Sequence, residues 1–551
     1  MKVAEAVGRA LAAVGVRQAF GVVGSGNFHV TNALVAGGAR FVAARHEGGA
    51  ATMADAYARV SRTVSAVSLH QGCGLTNAMT GIAEAAKSRT PLLVLAAETA
   101  ASAVRSNFRV DQSALAAAVE AEPLRVRSAA TAIDDALSAY VRARDERRTV
   151  VLNLPLDVQA AECPCDPRAL ADLSVPPPPR PAAPSADAIR PLVDSLARAA
   201  RPVFIAGRGA QIARARGPLE ALADQTGALL ATSAVAKGMF HGNPWCLDVS
   251  GGFASPLAAE LIASADLIVG WGCALNMWTM RHGRLVGPGA RVAQVDVDAA
   301  ALGAHRAIDV GVAGDVAETA RAVSAELARG SAFAWRTEAL AARIAAEVRW
   351  RDVAFDDDGG DGRIDPRAFS IGLDDALPRE RIVAVDSGNF MGYPSMYLSV
   401  PDDEGFCFTQ AFQSIGLGLA TAIGAALARP DRLPVAALGD GGALMSIAEL
   451  ETVVRLRIPM VVVVYDDDAY GAEVHHFGPD GFPLDIVRFP ETDIAAIGRG
   501  FGCEGLTVRR EGDLRGLSAW LEGPRDRPLV VDAKVTAKGA SWWLEEAFRG
   551  H

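Results

Sequence analysis

The 551-residue chain has few cysteines, no surplus of basic residues and no long apolar run, and each shortage removes a class of protein. Its seven cysteines are an odd number without framework spacing, which argues against a disulfide scaffold and for a reducing compartment. The nearest pair, Cys163 and Cys165 in ECPCDP, has no partner ligands close by in sequence and reads as a loop carrying two thiols. Lysine and arginine number 54 against 64 acidic residues, a net charge of −10, and no basic run stands out. Nucleic acid and acidic membranes are therefore poor partners on electrostatic grounds. No apolar stretch approaches the roughly 20 residues that span a bilayer. The N-terminal MKVAEAVGRALAAVGV instead spaces Val3, Val7, Leu11 and Val14 at helical intervals, the pattern of a docked amphipathic helix in a cytoplasmic protein rather than of a signal peptide.

What is present is a soluble, globular composition, 50% apolar and 21% charged, in a chain long enough for two to four domains. Helical patterns alternate with short β-branched runs such as VSAVSL, PLLVLAA, PVFIAG, PVAALGD and PMVVVVYD. That alternation predicts βαβ units and parallel sheets buried on both faces. Two stretches interrupt it: the proline-rich VPPPPRPAAP at 175–184, a stiff extended linker, and the acidic, glycine-rich FDDDGGDGR at 355–363, too polar to bury a core. The cuts predict three doubly wound α/β domains at 1–170, 186–335 and 364–551, joined by linkers at 171–185 and 336–363. No repeat is visible at the residue level.

Ligands of parallel α/β domains sit at the carboxyl ends of strands. Two acidic clusters fall there. PVAALGDGGALMS ends a strand in Gly439, Asp440, Gly441 and Gly442 before a helical segment, and VVVVYDDDAYGAEVHH carries Asp466, Asp467 and Asp468 from strand into turn. Glycines allow backbone to approach a phosphate, and a carboxylate beside it suits Mg²⁺. Taken alone, GDGG fits a tight turn equally well. The 24 residues from Gly442 to Tyr465 leave room for one helix and one strand, which would set the two acidic strand ends side by side.

This GDG, its spacing to the aspartates and the following Tyr470-Gly471 resemble the diphosphate signature of the thiamine diphosphate enzymes of the pyruvate decarboxylase, benzoylformate decarboxylase, benzaldehyde lyase and acetohydroxyacid synthase group. The resemblance implies thiamine diphosphate and Mg²⁺ as cofactors, with Asp440, Asp467 and the carbonyl of Ala469 on the metal. Asp466 and Asp467 stand where asparagines are usual, so a negative charge is added beside the diphosphate. RHEGGAATMADAYAR is similar to the family's strand-end glutamate segment, which makes Glu47 the carboxyl against the aminopyrimidine; desolvation there suits proton sharing. FGVVGSGN, with Gly24 and Ser25, resembles the glycine turn, with Val23 in place of a common proline. LHQGCGLTN supplies His70 as a proton relay and Asn77, and RVDQSALAAA supplies Gln112 beside the cofactor. IVAVDSGNF resembles the strand that puts Ser387, Gly388 and Asn389 near the diphosphate, and FQSIGLG places Ser414 and Ile415, the latter as the apolar wedge under the cofactor. Glu473 and His476 follow as catalytic candidates, with His475 beside them.

The central block resembles the family's middle domain, but GRGAQI lacks the third glycine of a dinucleotide fingerprint, so FAD is not inferred. The resemblance implies a homodimer or homotetramer in which Glu47 of one subunit meets Asp440 of another. It implies cleavage of a small 2-oxo acid, the enamine being added to an aldehyde or ketone acceptor or protonated to an aldehyde. A flavin-using oxidase and a catalytically silent cofactor-binding scaffold are the alternatives.

Overall fold

The computed structural model of the protein describes residues 1–327 and 335–547. Eighteen strands among them form three six-stranded sheets, and every strand pairing is parallel. The first sheet comprises β1 (Gln18–Gly21), β2 (Arg40–Ala43), β3 (Ser65–Leu69), β4 (Leu92–Glu98), β5 (Glu122–Arg125) and β6 (Thr149–Pro155), in the order β2-β1-β3-β4-β6-β5. The second comprises β7 (Pro202–Ala206), β8 (Leu229–Thr232), β9 (Cys246–Val249), β10 (Leu267–Trp271), β11 (Arg291–Asp296) and β12 (Val310–Ala313). Read from β9 across to β12 its order is β9-β8-β7-β10-β11-β12, the double winding of dinucleotide-binding sheets. The third comprises β13 (Arg381–Val385), β14 (Phe406–Phe408), β15 (Leu433–Gly439), β16 (Val461–Asp466), β17 (Glu504–Val508) and β18 (Leu529–Lys534), in the order β14-β13-β15-β16-β18-β17.

Counted within themselves, the first and third sheets thus share one strand order although their sequences show no repeat. The β-branched runs form the strands because each must be apolar on both faces under flanking helices. Strands β3, β7, β10, β13, β15, β16 and β18 are buried at every position. At the N-terminus, Val3, Val7 and Leu11 face inward from the helix Val3–Ala13, as their spacing predicts.

The shared topology has a structural consequence. Helix Glu47–Ser61 follows β2 and helix Gly418–Ala428 follows β14, and these equivalent helices pack against each other. Their small residues let them approach closely: a Cβ on Gly424 would lie 2.2 Å from the Met53 carbonyl oxygen and 2.9 Å from Ala56 Cβ. One core runs through the contact, joining Phe20 and Met53 of the first domain to Ile423 and Val462 of the third. A buried ion network closes the far end. Arg59 contacts Asp55 at 2.6 Å and Glu84 at 2.7 Å, and Glu84 accepts the Ala411 and Phe412 N–H groups of the third domain at 3.1 and 2.6 Å.

Residues 175–184 form neither helix nor strand and are largely exposed. The stretch 336–363 departs from the linker expected of it. It holds the helix Glu338–Glu347, which buries Ile344 against the central sheet's core and pairs Arg343 with Glu260 at 2.7 Å. Its acidic end is pinned to the third sheet, because Arg363 donates to the Asp466 and Val535 carbonyls at 3.2 and 3.1 Å and pairs with the Asp468 carboxylate. A side chain at 424 should force the helix pair apart, so Gly424→Ala is expected to cost about 1–3 kcal/mol. A urea midpoint unchanged from wild type would refute the close approach.

Candidate active site

Two clusters of polar side chains form at strand ends. In the first domain, the turn after β1 is held by Asn27, which accepts the Gly24 N–H at 2.8 Å and donates to the Val22 carbonyl at 3.2 Å and Ser68 Oγ at 3.1 Å. This brings Ser25 Oγ to 3.4 Å from His70 Nε2, and a Cβ on Gly24 would meet the His70 ring at 2.4 Å. Glu47 opens its helix and accepts from Asn77 Nδ2 at 3.0 Å. Gly74 separates the two groups: a Cβ there would lie 3.1 Å from His70 Cβ and 3.8 Å from Glu47 Oε1. Ser25, His70, Glu47 and Asn77, drawn from three separate segments, therefore lie close together. The turn before Glu47 is clamped by the third domain, for buried Glu449 accepts the Arg45 and His46 N–H groups at 3.0 and 3.1 Å.

In the third domain, Gly439 and Tyr465 are register partners on β15 and β16, so Asp440 and Asp467 leave neighbouring strand ends. Asp467 rests on backbone: a Cβ on Gly471 would lie 2.4 Å from Asp467 Oδ2 and 3.3 Å from Asn389 Nδ2. Asn389 is fixed in turn by the Ser541 N–H, 3.0 Å from its Oδ1, and by Trp543 Nε1, 3.0 Å from its carbonyl. Gly388 precedes it at φ +134°, a backbone state reserved for glycine. Ser387 sits beside it, its N–H on Asp386. Asp468 takes the left-handed conformation at φ +53°, as turn chemistry requires.

The three aspartates are electrostatically unequal. Asp466 is 1% exposed and paired with buried Lys534 at 2.5 Å, and Asp468 pairs with Arg363. These two basic groups go to Asp466 and Asp468, not to Asp440 or Asp467. Burial, then the nearby Asp467, pushes the Asp440 carboxyl up to about 8, and burial, then Asp466, pushes Asp467 up to about 7. Two adjacent carboxyls with no counter-charge among the described residues are the donor set that a hard divalent cation takes, with backbone oxygens completing it. The residues present therefore fit Mg²⁺, and the charge added at 466 is neutralised within the protein.

Other expected residues land differently. Gln112 is 2% exposed, with Oε1 on the Gly72 N–H at 2.9 Å and Nε2 on Asn153 at 2.8 Å. Both ends of its amide are used, so it secures the Gly72 turn instead of facing a ligand. Gly441 and Gly442 make room for protein groups, since a Cβ would meet the Tyr470 ring at 2.8 Å and Asp386 Oδ2 at 2.4 Å, respectively. Ile415, after Ser414, is 40% exposed, so it is not core. Ala469 is buried, and Tyr470 stacks edge-on against Phe489 at 4.9 Å. Glu473, His475 and His476 share the short helix Gly471–Phe477. His476 lies against Phe477; burial pushes His475 below the ordinary imidazole value, and its Nε2 has no hydrogen-bond partner among the described residues. Asp386, Glu449 and Lys534 are the site residues that sequence reasoning passed over. An acid ending a strand was the one available signal, for Asp386.

Three family models match the chain: the thiamine pyrophosphate enzyme N-terminal TPP binding domain over 1–118, the central domain over 189–323 and the C-terminal TPP binding domain over 386–533. A probable 2-ketoarginine decarboxylase AruI of Pseudomonas aeruginosa is 30% identical, the match covering 93% of this chain and 89% of that protein. The chain belongs to the thiamine pyrophosphate enzyme family. Further members resemble it along nearly the whole length. A sulfoacetaldehyde acetyltransferase of Castellaniella defragrans is 29% identical over 93% of this chain and 89% of its own, and the acetolactate synthase large subunit of Parasynechococcus marenigrum is 27% identical over 95% and 85%. The fold is shared with the solved thiamine diphosphate-dependent 4-hydroxybenzoylformate decarboxylase of Rhodococcus jostii RHA1, at a TM-score of 0.80 and 22% identity over 97% of this chain and 99% of that one.

In this thiamine pyrophosphate enzyme the raised carboxyls link stability to pH. Asp440 and Asp467 hold protons in the folded chain well above the ordinary carboxyl range, so between about pH 4 and pH 8 the folded state binds more protons than the unfolded one. Stability of the metal-free protein should therefore fall as pH rises through that window. Asp440→Asn should flatten the fall in melting temperature; an unaltered slope would mean the pair is not the source.

Proposed function

We propose that the protein is a thiamine diphosphate- and Mg²⁺-dependent enzyme that cleaves a small 2-oxo acid and passes the remaining fragment to a carbonyl acceptor or releases it as an aldehyde. The observation that carries this reading is the uncompensated Asp440–Asp467 pair at neighbouring strand ends, in a chain that also presents Glu47 on a clamped turn. Thiamine diphosphate, when bound, supplies a nucleophilic carbon and an electron sink for decarboxylation. Asp440, Asp467 and the Ala469 carbonyl would hold Mg²⁺, with Gly388, Asn389 and the Gly439–Gly442 turn about the diphosphate. Ile415 offers an exposed apolar ledge for the cofactor rings. Glu47, oriented by Asn77, holds and moves the proton at the aminopyrimidine. On this reading His70 with Ser25, and Glu473 with the His475–His476 pair, move protons at the substrate. On this reading 1–170 is the pyrimidine-binding domain, 364–551 the diphosphate-binding domain and 186–335 a central domain without FAD.

Exposed apolar side chains lie near both clusters: Phe108 edge-on to His70 at 5.2 Å and Phe28 next to Asn27, and Phe482 against Phe477 of the helix that carries Glu473. Such surfaces favour burial against another subunit. We infer a homodimer or homotetramer in which Glu47 of one subunit serves the Asp440 cluster of another, in the cytoplasm. The names of the relatives include transferases, synthases and a decarboxylase, and carboligation is the outcome we favour.

Glu47→Gln should bind thiamine diphosphate in calorimetry yet lose turnover by at least about 100-fold; unimpaired turnover would overturn its role, and no cofactor binding by wild type would overturn the whole reading. Mixing Glu47→Gln with Asp440→Asn and reassembling the subunits should restore up to about a quarter of wild-type activity, because each heterodimer regains one intact site. No recovery would place both residues in one chain's site. A panel of 2-oxo acids, alone and with aldehydes, should show product formation that depends on the acceptor; aldehyde release alone would make the protein a simple decarboxylase.

A further inference from the structure

Residues 411–417, which carry Ser414 and Ile415, form neither helix nor strand and are mostly exposed, yet buried carboxylates from two different domains hold their backbone at both ends. At the near end Glu84, fully buried on the first domain's helix Cys73–Lys87, takes the Ala411 N–H on Oε1 at 3.1 Å and the Phe412 N–H on Oε2 at 2.6 Å. Lys87, on the same helix, lies over the Phe412 ring, 5.9 Å from its centroid. At the far end Asp386, also fully buried and directly after β13 of the third domain, takes the Gly416 N–H on both oxygens at 3.0 Å and the Leu417 N–H on Oδ1 at 3.3 Å. Between the anchors Gln413 sits at φ +59°, a left-handed state that is costly for a residue with a side chain.

A surface loop without secondary structure is ordinarily mobile, and strain in it persists only where its surroundings over-determine it. Charge-assisted bonds to two buried carboxylates supply that determination. Arg59 offsets the Glu84 charge at 2.7 Å and also donates to the Phe408 carbonyl at 2.9 Å, so the same ion network fixes the chain leading into the loop. What the two anchors achieve is the placing of Ile415. A Cβ on Gly442 would lie 3.3 Å from Ile415 Cγ2 and 2.4 Å from Asp386 Oδ2. An apolar side chain, left 40% exposed, is thus presented beside the Gly439–Gly442 turn.

We propose that Glu84 and Asp386 are positioning residues for thiamine diphosphate, holding residues 411–417 between two domains so that Ile415 stands as a fixed ledge beside the Gly442 turn. The inference rests on the proposed function, in which Ile415 underlies the cofactor rings. Inorganic pyrophosphate with Mg²⁺ is the control ligand, because it can occupy the diphosphate cluster but has no rings to rest on the ledge. In calorimetry of the full-length protein with Mg²⁺, Ile415→Ala and Glu84→Gln should each weaken thiamine diphosphate by at least about tenfold, the one through lost apolar contact and the other through a lost charge-assisted hydrogen bond. Both should leave pyrophosphate within about twofold of wild type. Placed in the Ile415→Ala background, Glu84→Gln should add no more than about twofold, since residues that act through one another are non-additive. Glu84→Gln binding thiamine diphosphate like wild type, weakening both ligands alike, or adding its full penalty to that of Ile415→Ala would overturn the proposal. Should Glu84→Gln fail to fold, Asp386→Asn goes through the same cycle from the other anchor, and the same outcomes decide. A wild-type protein that binds pyrophosphate but no thiamine diphosphate would refute the proposed function and this role with it, a failure seen before any variant is made.

Discussion

The close approach of helix Glu47–Ser61 to helix Gly418–Ala428 is the contact on which the arrangement depends. It is possible only because Gly424 sits where any side chain would strike the Met53 carbonyl. From it follow the continuous core between the first and third sheets, the position of Glu47 at one end and the buried Arg59 network at the other. Glu449 adds a polar lock, using a carboxylate of the third domain to satisfy backbone donors that would otherwise be orphaned at the turn before Glu47. A strand order repeated in two sheets is thus converted into a paired scaffold, with each polar cluster at the carboxyl ends of its own sheet.

Charge compensation separates scaffold from site. Around Asp466 and Asp468 each carboxylate finds a cation, and around Asp55 and Glu84 a single guanidinium serves both acids. Asp440 and Asp467 are left in electrostatic tension. A folded chain tolerates such groups where a ligand of opposite charge completes them. The contrast also explains how two aspartates can replace an expected pair of asparagines: one is neutralised by Lys534, and only the other presents its charge at the strand end.

Much of this was legible in the residues. Alternating β-branched runs and helical patterns imply parallel sheets, since a strand covered on both faces must be apolar throughout. The interval between GDG and the aspartate run implies neighbouring strand ends, because one helix and one strand fill it. The same reasoning failed where partners come from far along the chain. Gln112 looked available, yet its amide is consumed by Gly72 and Asn153, which are 40 and 41 residues away. Burial lowers the proton affinity of His475, which nothing in the local pattern sets apart from His476. The 336–363 stretch looked like a linker because its acidic composition hid a helix and an arginine clamp.

By itself the sequence determined the class of fold, the thiamine pyrophosphate family resemblance and the placing of acidic groups at strand ends, because these depend on local periodicity and short spacings. Tertiary structure alone decided which charges are cancelled. Lys534 meets Asp466 across 68 residues and Glu449 meets His46 across 403. Pairing of that kind is settled by how sheets and helices stack, a property of the folded whole that no window of the chain contains.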